Sequence, residues 1–345
     1  MERKPRAVAL FSGGLDSILA AKLVKDQGVE VVGLHIKTGF HSEDVKERLG
    51  LLKENENPIH KAAQQIDLPL VELDISSSYC GVIENPKYGY GKNANPCIDC
   101  KIAFLKAAKE YMEREGFNFI VTGEVVNQRP MSQNLPTLRL IEKEAGVEGL
   151  VLRPLSAKLL PPTIPEKEGW VDREKLLDIS GRGRERQLQL AKEFGLEYIP
   201  QPSGGCLLTM EEVGKRVFDQ LSHGEWDCDI AKLVPIGRHF RLPTGVKVIV
   251  ARNRDEVNYL KQFQNRWYLF KPTTKGTVAL LLKGEPPTDD EAKMVADLVA
   301  RYSKRQPKEV EIIHNNRVLR KIIGTPMEEG LIRQLRLKEI QKEGT

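Results

Sequence analysis

The stretch Ala7-Val8-Ala9-Leu10-Phe11-Ser12-Gly13-Gly14-Leu15-Asp16-Ser17-Ile18-Leu19-Ala20-Ala21-Lys22-Leu23-Val24 decides how the first half of this chain reads. Ala7 to Phe11 is a short apolar run that suits a buried strand, and Ser12 to Ser17 break it. Ile18 to Val24 then carries the Ala- and Leu-rich pattern of a helix. A strand, a glycine-rich turn and a helix in that order build an anion site, because N–H groups point out of the helix start and the helix dipole favours negative charge there. Gly13 and Gly14 allow close approach of a phosphate to the backbone. Ser12 and Ser17 each offer a hydroxyl donor, and Asp16 suits such a place as a helix cap or as a holder of Mg2+. The same residue types also make an ordinary capped turn.

Outward from this stretch, Val29 to Ile36, Leu70 to Ile75 and Phe117 to Thr122 read as further strands. Helical spacing of Ile59, Ala62, Ala63 and Ile66, and the run Lys101 to Glu115, place helices between them. Alternating strands and helices predict an α/β domain, a parallel sheet with helices on both faces. In such sheets ligands bind beyond the carboxyl ends of the strands, where Gly13, Thr38 and Gly123 fall. Leu160 to Gly169 and Gln201 to Cys206 are rich in Pro and Gly and read as loops. Beyond about Pro235 the pattern changes: Val246 to Ala251 and Thr277 to Leu282 suit strands and Asp289 to Arg301 a helix. The expected division is residues 1–232 and a smaller α+β domain at 233–345, with no internal repeat.

The 345 residues are 40% hydrophobic and 29% charged, which suits folded domains rather than a disordered chain. No apolar run is long enough to span a bilayer, and Met1 to Arg6 is not a secretory signal, so the cytoplasm and no membrane partner are expected. Of the net charge of +5, the whole surplus lies in Arg301 to Thr345, where phosphate contact and a solvated surface are equally compatible readings. Five cysteines, an odd number, argue against a disulfide framework and towards metal or redox chemistry.

Ser12-Gly13-Gly14-Leu15-Asp16-Ser17 lacks the Lys of a Walker A loop and the third Gly of a dinucleotide fingerprint. It resembles the Ser-Gly-Gly-X-Asp-Ser signature of the PP-loop ATP pyrophosphatases, which adenylate a substrate oxygen and release pyrophosphate. The resemblance implies ATP with Mg2+ at Ser12, Gly13, Gly14, Asp16 and Ser17, with Thr122 and Gly123 at the neighbouring strand end and a catalytic role for Asp16. The superfamily includes both small-molecule synthetases and tRNA-modifying enzymes.

Cys97-Ile98-Asp99-Cys100 reads as a turn before a helix from Lys101, where the dipole is expected to favour thiolate, and Cys206 follows a Gly204-Gly205 turn. Cys80 and Cys228 have no comparable context and are expected to be structural. The trio has three readings: a zinc or structural site completed by another residue, a nucleophile and partner carrying a persulfide, or an iron–sulfur cluster. An Asn95-Pro96 turn before Cys97 and Cys100, Val121-Thr122-Gly123, Arg153-Pro154-Leu155 and the distant Cys206 resemble the tRNA 2-thiouridylases over about residues 5 to 210. In persulfide-type members Cys100 and Cys206 match the two catalytic cysteines, but those members carry Asp where this chain has Cys97. That departure resembles the cluster-dependent thiouridine synthetases, and implies a 4Fe-4S cluster on Cys97, Cys100 and Cys206 with one iron left open.

The implied function is ATP-dependent thiolation of a tRNA uridine through an adenylated intermediate. The implied partners are tRNA and a sulfur donor, either free sulfide or a cysteine desulfurase-type protein, with a homodimer left open. Arg182, Arg184 and Arg186 are candidate RNA contacts that also read as solvated arginines at a helix start. The region from Gly237 to Asn316, notably Ala251 to Leu260, weakly resembles the NFACT-type RNA-binding module, and its polar loop would equally suit an exposed helix cap. The competing functions are a persulfide-type thiouridylase, a small-molecule PP-loop synthetase with a zinc site, and a non-catalytic RNA-binding protein.

Overall fold

A computed structural model describes residues 4–53, 56–199 and 205–337. Residues 201–204 of the Gln201–Cys206 turn and 338–345 of the basic C-terminal stretch lie outside the described residues. The chain forms two compact units, one of Met1–Asp44 and Lys53–Thr209, the other of Val45–Leu52 and Met210–Thr345.

In chain order the first part carries β1 (Arg6–Leu10), α1 (Leu15–Lys25), β2 (Glu30–Lys37), α2 (Ser42–Arg48), α3 (Pro58–Gln64), β3 (Leu70–Asp74), α4 (Ser76–Glu84) and α5 (Cys97–Glu115). β4 (Phe119–Thr122), α6 (Leu135–Ala145), β5 (Val151–Leu152), α7 (Ile164–Lys167) and α8 (Glu185–Glu193) complete it. The five strands form an all-parallel sheet in the order β3-β2-β1-β4-β5. Successive side chains of a strand point to opposite faces, so the apolar runs feed two cores. Ala7, Ala9, Phe119 and Val121 pack with Leu15, Ile18 and Leu19 of α1 and Ile59 and Ala62 of α3. Val8, Ile120, Leu34 and Ile36 pack with Ile102, Leu105 and Ala108 of α5 and Ile141 of α6. This is the expected sheet with helices on both faces. The strand order reverses at β1, which opens the crevice between β1 and β4 at their carboxyl ends.

The second unit holds α9 (Glu211–Ser222), α10 (Cys228–Leu233), β6 (Arg238–Arg241), β7 (Lys247–Val250), α11 (Arg254–Leu260), β8 (Tyr268–Pro272), β9 (Ala279–Leu282), α12 (Asp289–Tyr302), β10 (Lys308–His314), β11 (Arg317–Gly324) and α13 (Glu329–Leu335). Its six strands are antiparallel in the order β11-β10-β8-β9-β7-β6. One face packs on Val295, Ala296 and Val299 of α12, the other on Ile230 and Leu233 of α10 and Tyr259 and Leu260 of α11. The unit is the α+β arrangement expected, with four more strands than the pattern of apolar residues marks. No helix among the described residues is long and apolar enough to cross a membrane.

Candidate functional site

The turn after β1 brings its side chains back onto its own backbone. Gly13 has φ +72°, a conformation that suits glycine, and it lies against Ile59 at the start of α3. Ser12 Oγ accepts from Gly14 N at 3.3 Å, and Ser17 Oγ donates to Gly14 O at 2.8 Å. Gly14 precedes α1 without any side-chain cap, so Asp16 does not cap the helix. Instead Asp16 Oδ2 accepts from Gln128 Nε2 at 3.0 Å, while its Oδ1 is buried with no partner. Thr122 is buried at the end of β4, and next to it a Cβ on Gly123 would stand 2.6 Å from Asp16 C and Ser17 N. The end of β4 and the first turn of α1 therefore approach each other through backbone.

Cys97 and Cys100 occupy the first turn of α5, and Cys206 lies in a segment tied to the residues after β2. Ser42 N donates to Gly205 O at 3.1 Å and Leu207 N to Phe40 O at 2.8 Å. Cys97, Cys100 and Cys206 are free thiols. They are near neighbours: Cys100 feels both Cys206 and Cys97, and buried Tyr79 of α4 feels all three and hydrogen-bonds Cys100. Burial pushes the Cys100 thiol up to about 12 despite the Tyr79 hydrogen bond. Burial also raises Cys206, with Arg129 acting against it. This corrects the expectation that the helix start makes a thiolate of Cys100: removal from water outweighs the dipole there. Cys80 and Cys228 are not free thiols, whereas the odd cysteine count argued against a disulfide framework.

The segment from Gly123 to Asn134 joins the two halves of the site. Gln128 holds Asp16, and Ser132 accepts a hydrogen bond from Cys97 Sγ at 3.4 Å. Beneath it Lys101 pairs with Glu124, which also accepts from Arg153 Nε at 2.9 Å, and Arg153 pairs with Glu142. Burial would raise the Glu124 carboxyl, but Lys101 and Arg153 overcome it and hold it down at about 2. Sequence reasoning missed Gln128, Ser132, Glu124 and Lys101 as members of this site. Glu124 directly follows Thr122-Gly123 and Lys101 directly follows Cys100, so adjacency was the available signal; Gln128 and Ser132 had none.

Arg182, Arg184 and Arg186 lie before and at the start of α8, on the surface of the first unit. Arg186 pairs with Glu193 at 3.0 Å, and Arg184 Nε is buried without a partner. In the second unit Asn253 caps α11, accepting from Asp255 N and Glu256 N at 3.1 and 2.9 Å, and Arg252 pairs with Glu256. The polar loop after β7 therefore includes a helix cap.

Residues 3–158 match the family model for the thiamine biosynthesis protein ThiI, and residues 237–335 match that for the NFACT protein RNA binding domain. The tRNA-specific 2-thiouridylase MnmA 1 of Clostridium tetani is 30% identical over 138 residues, 36% of this chain and 35% of that protein. The tRNA-specific 2-thiouridylase MnmA of Desulfosudis oleivorans is 32% identical over 124 residues, 34% of this chain and 32% of that protein. The chain thus spans about a third of the length of these curated relatives. A solved 4-thiouridine synthetase–RNA complex with bound ATP aligns with a TM-score of 0.36 and 20% identity, covering 64% of this chain and 52% of that one. The chain thus resembles the ThiI family over residues 3–158 and the NFACT RNA-binding family over residues 237–335.

Proposed function

We propose that this chain transfers sulfur to a uridine of tRNA, with ATP activating the base, in the cytoplasm. The uridine carbonyl oxygen attacks the α-phosphorus of ATP, and the bond to pyrophosphate breaks. A sulfur nucleophile then adds to the base carbon, and AMP leaves with the former carbonyl oxygen. With a donor at the sulfide level no net oxidation or reduction is needed. Ser12, Gly13, Gly14 and Ser17 bind the phosphates, with Thr122 and Gly123 as the adjoining wall. Asp16 offers its unpartnered, buried Oδ1 to Mg2+, a cation that takes oxygen ligands, while Gln128 steadies the other oxygen.

Cys97, Cys100 and Cys206 are the residues that would hold a 4Fe-4S cluster, which when bound supplies a place for sulfide. Among the described residues no group of three or more His, Cys, Asp or Glu side chains is gathered tightly enough for one metal ion. A structural zinc needs its sulfurs all about 2.3 Å from one ion. In an iron–sulfur cluster each thiolate binds its own iron, so three neighbouring thiols need not converge on a point. Arg182, Arg184 and Arg186 are proposed to contact the RNA backbone.

The observation that carries this reading is the 123–134 segment, which hydrogen-bonds the nucleotide turn at Asp16 and the cysteine centre at Cys97. The test is anaerobic purification with iron and sulfide analysis, tRNA-dependent pyrophosphate release, and mass spectrometry of the nucleosides formed. Asp16→Ala is expected to abolish pyrophosphate release and leave the iron content intact; loss of iron refutes this separation of roles. Cys97→Ala is expected to remove both cluster colour and thiolation, and retained thiolation would favour a persulfide on Cys100 and Cys206. Pyrophosphate release with a small molecule and without tRNA would replace the tRNA reading by that of a synthetase.

A further inference from the structure

Three arginines meet at the C-terminal end of α10, all within the second unit. Arg48 donates to Lys232 O at 3.0 Å, Arg216 of α9 to Val234 O at 2.9 Å, and Arg252 to Pro235 O at 3.0 Å. A helix C-terminus carries only about half a negative charge, which a single guanidinium offsets. Arg252 has a carboxylate of its own in Glu256. Arg216 has none: among the described residues its hydrogen bond to Val234 is its one polar contact, and it forms no ion pair. Burial first, and then the nearby Arg252, pull its pKa down to about 10. The same field acts on His239, which burial, Arg216, Lys247 and Arg252 together keep neutral. Glu212 and Glu256 act against this, but neither carboxylate is within ion-pair distance of Arg216, and a part-buried guanidinium beside a second one, with no carboxylate in contact, costs stability unless an anion comes to it.

We propose that Arg216 and Arg252 grip a backbone phosphate of the RNA substrate. This rests on the reading that the substrate is an RNA. It extends the RNA-binding surface to α9, which lies before residues 237–335, the part that matches the RNA-binding family. Two guanidinium forks suit a phosphodiester, whose two free oxygens each accept hydrogen bonds. The side chain of Arg252 is 43% exposed, so the pair opens to the surface, as a long polyanion requires.

The test is binding of unmodified tRNA to the full chain without ATP, by fluorescence anisotropy across a salt series, beside thermal melting. Arg216→Met is expected to weaken binding roughly tenfold and to lower the salt slope by about one. Its melting temperature should hold or rise, because an unpaired guanidinium is removed. Arg216→Lys should keep the salt slope with a smaller loss of affinity, and it preserves the helix-end contact should the Met variant fold poorly. Wild-type affinity and slope in a folded Arg216→Met overturn the phosphate contact and leave the tRNA reading standing. A lowered melting temperature with unchanged affinity would make Arg216 a helix cap only. Stabilisation by millimolar inorganic phosphate that Arg216→Met abolishes, with tRNA affinity unchanged, would make this a free-anion site instead. If the wild-type chain binds no tRNA at all, both readings fall.

Discussion

Gly123 shows how little room the site leaves at single positions. A Cβ there would meet Asp16 C and Ser17 N at 2.6 Å, and backbone cannot swing aside as a flexible side chain can. Gly123→Ala is expected to push the nucleotide turn out of place and to lower ATP affinity at least tenfold, read by calorimetry. Glu124 gives a second prediction at this scale. Its carboxyl sits at about 2 in the fold against an ordinary 4.5, because Lys101 and Arg153 outweigh burial. A depressed acid stabilises above its unfolded value and loses that contribution as the pH falls through the folded one. Stability should thus drop between about pH 4.5 and pH 2, and Glu124→Gln should flatten that slope in denaturant titrations. The substitution should also cost about 3–5 kcal/mol at neutral pH, since Arg153 is 3% exposed and loses a charged partner. The Ser12–Ser17 turn was legible in sequence because its residues are contiguous, whereas Asp16 and Gln128 are 112 positions apart.

Among the elements, α5 and the 123–134 segment do most to assemble the site. α5 carries Cys97 and Cys100 at one end and stops at Gly116, whose φ of +71° suits the left-handed turn that ends a helix. The segment has no regular structure and is held at its far end by Asn134, which accepts from Thr137 N and donates to Pro130 O at 2.7 Å. Asn134→Ala is expected to cost about 1 kcal/mol, as lost helix caps do, seen in chemical denaturation. Gln128→Leu should leave melting and iron content unchanged while tRNA-dependent pyrophosphate release falls roughly tenfold, if the segment couples the two halves. Helices α1, α3, α5 and α12 and strands β1 to β4 follow from periodicity, whereas the long helices α6 and α9 went unread. Two-residue β5 and α4, which opens Ser76-Ser77-Ser78, offer too little apolar pattern to mark them.

At the scale of the whole molecule, the second unit needs residues well ahead of its sheet. Lys247 of β7 is fully buried, and it pairs with Asp219 of α9; burial still draws its pKa down to about 8. A fragment that starts at residue 233 loses Asp219 and leaves a buried ammonium unpaired. It is expected to be about 3–5 kcal/mol less stable than one that starts at 210, measured by denaturant unfolding. Val45 and Leu49 also pack on this unit's core, so either fragment should be less stable than the intact chain.

What the sequence determined by itself was local: the apolar period of β1 to β4 and of α1, α3, α5 and α12, the glycine turn after β1, and the closeness of Cys97 and Cys100 beside a helix start. Neighbouring residues set those features through backbone sterics and side-chain spacing. The tertiary structure alone decided which distant residues meet, bringing Cys206 and Tyr79 to the first turn of α5 and Gln128 to Asp16. It also decided the charge state of Cys100, because desolvation depends on everything packed around a group, and a sequence position records only what lies next to it along the chain.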